Sequence, residues 1–175
     1  MRKSLSLLAL VMVTTTTVLS TSFPAQAQVE RFSDAVGDTQ SRSDVRWVKI
    51  RHSKVDNRLH VRTKLDQVVT GVEWTVYLDS RRHNPGPEWA MTAYPDSEWV
   101  LNKVDKWDDK GTATDCAGSV HFSTSTKPVA RWSNKRSCLD LNRYVRVSVR
   151  IHDTGHGIDW APARRGYSQW VSAGR

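Results

Sequence analysis

Beyond its first 27 positions, this 175-residue sequence has no long apolar run. A membrane-spanning helix needs about 20 such residues, so no span is expected in the folded part. A capped 3.6-residue apolar period is also missing, which argues against a helical fold. Cysteine is scarce, with two residues in the whole chain, and neither belongs to a motif for thiol catalysis or thiolate metal binding. There is no Gly-x-Ser-x-Gly elbow, which removes the usual serine-hydrolase signature. Zinc-finger spacing, a helix-turn-helix pattern and an aromatic RNA-binding motif are all absent, so a nucleic-acid partner has no support. Negative charge is in short supply as well, with 18 acidic residues against 26 basic ones.

The first 27 residues read as an export signal. Arg2 and Lys3 make a positive start, residues 5–13 an apolar core, and Ala25-Gln26-Ala27 a small-x-small cleavage site. The expected mature chain therefore begins at Gln28, is secreted, and comprises 175 minus 27, or 148, residues. That length makes one domain with a real core. Its balance is 24 basic minus 18 acidic residues, a net +6, which favours polyanionic neighbours such as acidic wall polymers. In an oxidising compartment the economical state of Cys116 and Cys138 is one disulfide.

From Val45 onward the pattern is strand after strand. Residues 59–65 alternate Leu59, Val61, Thr63 and Leu65 with His60, Arg62 and Lys64; residues 144–151 alternate Val145, Val147, Val149 and Ile151 with Arg146, Ser148 and Arg150. Residues 45–52 and 59–65, joined through Asp56-Asn57, form one hairpin. Residues 74–91, WTVYLDSRRHNPGPEWAM, form another around a loop that Pro85, Gly86 and Pro87 force. Further strands are expected near residues 98–104, 120–122, 128–133 and 167–171. The fold class is all-β: a single antiparallel β-sandwich, jelly-roll-like, with about eight to ten strands and residues 28–175 as one domain.

Candidate functional groups fall in loops. Asp34, Asp38 and Asp44 share a short polar segment with Gly37, and hard oxygen ligands on a flexible loop are what Ca²⁺ requires, although the spacing is not that of an EF-hand. His152, Asp153, His156 and Asp159 form a second polar group, but Gly155 and Gly157 make that segment a hairpin turn. Eight tryptophans stand among 15 aromatics. Most are expected in the core; Trp107 and Trp160, in turn-like segments, are the ones available to a sugar ring, with Asp159 beside them. Asp79 and Trp89 flank the loop at residues 80–87 and complete the ligand-binding candidates. Outward-facing Arg62, Lys64, Arg146 and Arg150 would make one basic face if their strands are neighbours.

The order SDAVGD, SDVRWVKIRH, RLHVRTKL, VYLDSRRHNPGPEWAM and DWAPARRGYSQWV resembles a group of secreted proteins of actinobacterial type. Residues 32–91 are also similar to the β-sandwich of DOMON-type domains and family-nine-like carbohydrate-binding modules. The resemblance implies a β-sandwich whose ligand is a sugar, a haem or a Ca²⁺ ion, with calcium mapping to Asp34, Asp38 and Asp44. The reading that needs no missing chemistry is a non-catalytic binding or surface-associated module for an extracellular polysaccharide or an anionic cell-wall polymer. Its alternatives are a secreted hydrolase drawing a carboxylate pair from Glu73, Asp79, Glu88, Asp96 and Glu98, and a haem domain ligated by Met91 and a histidine.

Overall fold

Alternation at period 2 sends every second side chain to the same face, and here those apolar faces meet. The computed structural model describes residues 28–124, 127–141 and 143–174. Among them are twelve strands and no helix, arranged as two antiparallel sheets. The expected leader at residues 1–27 lies outside the described residues.

The five-stranded sheet contains β1 (Gln28–Ser33), β2 (Val45–Ser53), β3 (Arg58–Leu65), β8 (Gly118–Ser123) and β9 (Val129–Lys135), in the order β1-β2-β3-β9-β8. The other sheet contains β4 (Val72–Asp79), β5 (Trp89–Ala93), β6 (Trp99–Lys103), β7 (Thr112–Ala113), β10 (Tyr144–Asp153) and β11 (Gly157–Ala161), in the order β11-β10-β4-β5-β6-β7; β12 (Val171–Ser172) pairs with the start of β10. Val48, Ile50, Leu59, Val61 and Leu65 of the first sheet pack with Trp74, Val76, Leu78, Val147, Val149 and Ile151 of the second in one buried cluster. Each such side chain contributes about 1.5–3 kcal/mol on burial.

Both expected hairpins form, β2–β3 and β4–β5. Asn57 takes the left-handed conformation (φ 52°) in the first turn, which asparagine tolerates better than most residues. Cys116 and Cys138 are joined, tying the segment before β8 to the segment after β9.

Three expectations change. The strand count exceeds eight to ten, because β1 and β11 are strands that carry little alternation: QVERFS is an exposed edge, and GIDWA is short with a glycine and an aspartate inside. Of residues 167–171 only Val171 lies in a strand. The four outward cations do not share a face either. Arg62 and Lys64 stand on β3 of the five-stranded sheet, whereas Arg146 and Arg150 stand on β10 of the opposite one. There the latter two are committed to carboxylates, Arg146 to Asp79 and Arg150 to Glu73 and Asp108.

Candidate functional site

Asp34 follows β1, Asp38 lies in the turn after it, and Asp44 immediately precedes β2; the fold brings all three to the inward side of β11, where Asp159 points. One carboxylate oxygen from each of the four lies within 4.8 Å of the others. Asp44 and Asp159 are buried, Asp34 half-buried and Asp38 exposed. Gly37 makes the turn possible: at φ 74° its N–H donates to Asp44 Oδ2 at 2.9 Å. The Val45 N–H donates to Asp159 Oδ2 at 2.8 Å.

The loop is pinned from outside. Arg42 donates from its backbone N–H (3.0 Å), Nε (2.9 Å) and Nη2 (2.8 Å) to the buried Asp153 at the end of β10. That contact holds the Asp153 carboxyl down at about 2. Thr39 adds a bond from its hydroxyl to the Ile158 carbonyl at 3.2 Å. A loop anchored in this way holds its carboxylates in place before any ion arrives.

The four carboxyls crowd one another electrostatically. Burial, then the neighbouring Asp159, Asp38 and Asp44, push the Asp34 carboxyl up to about 7. Burial and the charges of Asp44 and Asp38 push Asp159 up to about 6, against hydrogen bonds from Val45 and Trp160. Asp34 Oδ2 and Asp44 Oδ1 are buried with no hydrogen-bond partner. Among the described residues, the one cation within 4.0 Å of these carboxylates is the Arg46 guanidinium, 4.0 Å from Asp44 Oδ2. Unpartnered carboxylate oxygens, converging among like charges, fit a hard divalent cation. Asp34, Asp38, Asp44 and Asp159 would hold such an ion, which would supply positive charge and tie the β1–β2 connection to β11.

The remaining ligand candidates separate. Trp89 lies in the sandwich core, 8% exposed, and so offers no face to solvent. Asp79 is fully buried and accepts from Arg146 Nε and Nη2, its direct cross-strand partner, so its carboxylate is not free for a ligand. Trp107 and Trp160 do come together, edge to face at 5.5 Å, and both pack on Tyr77. Tyr167 covers Trp107 at 4.9 Å. They build a small second core on the outer face of the larger sheet, and Trp160 still lines a 330 Å³ cavity with Arg150, Arg164 and Arg165. Asp159 points to the opposite face from Trp160, as adjacent strand residues must.

Of the carboxylates considered for hydrolysis, Glu73 is bonded to Arg150 and Tyr94, and Glu88 accepts from the Ser80 N–H at 2.7 Å. Burial, with Asp79 nearby, raises the Glu88 carboxyl against that bond. Met91 is wholly buried in the core.

A second feature had only a partial signal in the sequence. The outer face of the five-stranded sheet bears a 540 Å³ concavity lined by Lys49, Arg51, His60, Arg62, His121 and Arg131, with Ser119 and Ser133 at its wall. Among the described residues no Asp or Glu occupies an outward position on that sheet's strands. Asp56, in the β2–β3 turn, is paired with Arg51 and His60, and its Oδ1 also accepts from the Arg58 N–H at 3.3 Å.

Fold and site together define a β-sandwich with a four-carboxylate loop centre and one basic sheet face. Compared with protein-family models, curated proteins and solved structures, the chain matches none. Function is therefore argued from these side chains alone.

Proposed function

We propose that this protein is an exported, non-catalytic module that binds an anionic extracellular polymer, an acidic polysaccharide or cell-wall polymer, with Ca²⁺ holding its N-terminal loop. The observation that carries this reading is the basic concavity on the five-stranded sheet, an open cleft with cationic walls and no outward carboxylate on its strands. Low-dielectric walls of one sign concentrate the field and draw polyanions. Export is supported by the leader-like first 27 residues and by the Cys116–Cys138 disulfide. Calcium is supported by the unpartnered oxygens of Asp34 and Asp44 in the acidic centre.

The test is retention of the purified protein on insoluble acidic polysaccharide beside a neutral glucan of the same chain length. Retention on the acidic matrix that is released by raised salt, with none on the neutral one, is the expected result. Equal retention on both, or on neither, would overturn it.

A further inference from the structure

Register across the five-stranded sheet places one basic group on every strand in a single row. Arg31 of β1 stands opposite Lys49 of β2, Lys49 opposite Arg62 of β3, Arg62 opposite Arg131 of β9, and Arg131 opposite His121 of β8. The flanking rows are different. One reads Val29, Arg51, His60, Ser133, Ser119, and in it Arg51 and His60 are both bonded to Asp56; the other reads Ser33, Trp47, Lys64, Val129, Ser123.

Like charges directly opposite on neighbouring strands destabilise a sheet. Protection of an exposed edge does not account for this row, because β3 and β9 are interior strands carrying Arg62 and Arg131. No ion pair involves Arg31, Lys49, Arg62 or Arg131 among the described residues. The guanidiniums of Arg31 and Arg62 instead lie over the Trp47 ring, at 4.5 and 5.4 Å from its centroid. Stacking holds them in position, so less side-chain freedom is lost when an anion arrives.

From this row we infer that the protein binds a linear polyuronate lying across the strands, its carboxylates meeting Arg31, Lys49, Arg62, Arg131 and His121. The inference rests on the polyanion reading above and narrows it. Strands are spaced about 4.8 Å apart, so the row offers one basic group per step of that length. A uronate chain carries one carboxylate per sugar ring, and a ring is about as long as that step. Polyphosphate is more densely charged, and alditol-phosphate chains space their charges further apart on a flexible backbone. Guanidinium forks match carboxylates bidentately, and three of the five groups are arginines. Four of the five line the 540 Å³ concavity, which gives the polymer a bed.

The experiment measures affinity calorimetrically for polygalacturonate, poly(glycerol phosphate) and dextran of matched chain length. It compares the full protein with a row variant, K49Q/R62Q/R131Q, and with an equal charge loss on and beyond β6, K103Q/K106Q/K110Q. The row variant is expected to lose roughly a hundredfold in polygalacturonate affinity, the control less than about threefold. R62K/R131K keeps the charge and loses the forks; a loss of roughly tenfold is expected, and it provides the reading should the triple variant not fold. Equal losses in row and control variants, unchanged affinity in R62K/R131K, or tighter binding of poly(glycerol phosphate) than of polygalacturonate would each overturn the polyuronate row while leaving polyanion binding in place. Binding of neither anionic polymer would overturn both readings.

Discussion

His52 shows how much a single side chain depends on its surroundings. It sits on β2 with its ring wholly buried, Nε2 accepting from Arg136 Nε at 2.8 Å and Nδ1 3.3 Å from the Val171 carbonyl. Burial, with Arg136 adding to it, lowers its pKa from an ordinary 6.5 to about 4, against the Val171 contact. Between those values the unfolded chain binds the proton and the folded one does not. The stabilisation is thus complete above pH 6.5 and lost as pH falls toward 4. His52→Gln should shrink the melting-temperature drop between pH 7.5 and pH 4.5 by roughly 5 °C, read by differential scanning calorimetry. Asp159→Asn addresses the acidic centre at the same scale. It removes one negative charge from the four-carboxylate set and should weaken Ca²⁺ binding by at least about tenfold in isothermal titration, with the fold retained by circular dichroism. Alternation in GIDWAPA was too brief to separate Asp159 from Trp160, and so the sequence alone grouped both with a surface ligand. Asp34, Asp38 and Asp44 were legible as a set because they lie within eleven consecutive residues.

At the scale of elements, two ties hold segments that lack strand pairing of their own. Arg42 to Asp153 fastens the 34–44 loop onto the β10–β11 turn. Arg42→Ala should loosen the carboxylate set before ion binding; the expected readout is faster amide exchange over residues 34–44 and Ca²⁺ affinity reduced several-fold. Cys116 to Cys138 closes the other tie, across a separation of 22 residues. Replacing both cysteines with alanine should cost roughly 3 kcal/mol in the chain-entropy model, a melting temperature lower by roughly 10 °C for a domain of this size. The central hairpins could be read in advance, because Val, Leu and Ile at period 2 leave one choice of buried face. β1 and β11 could not: each is an edge strand whose burial comes from what the rest of the chain lays against it.

At the scale of the molecule, the acidic centre joins the two layers. Asp34, Asp38 and Asp44 enter or leave strands of one sheet, and Asp159 belongs to the other. An ion held there clamps the sandwich at that edge, so Ca²⁺ at a hundred times its dissociation constant should add about 2.7 kcal/mol. The melting temperature should rise by roughly 5–10 °C over the chelated protein; an unchanged melt would remove the clamp. The basic face is a property of this scale too. Arg62 and Lys64 were visible as outward cations, but their companions proved to be Lys49 and Arg131, not Arg146 and Arg150. Alternating residue type by itself determined that the chain is all-β and which face of each central strand is buried, since local periodicity and turn chemistry need no knowledge of distant partners. Strand order and register were decided only by the tertiary structure, because long-range pairing depends on how whole faces pack. That pairing assembled four carboxylates at one corner, and four cations and a histidine in one row.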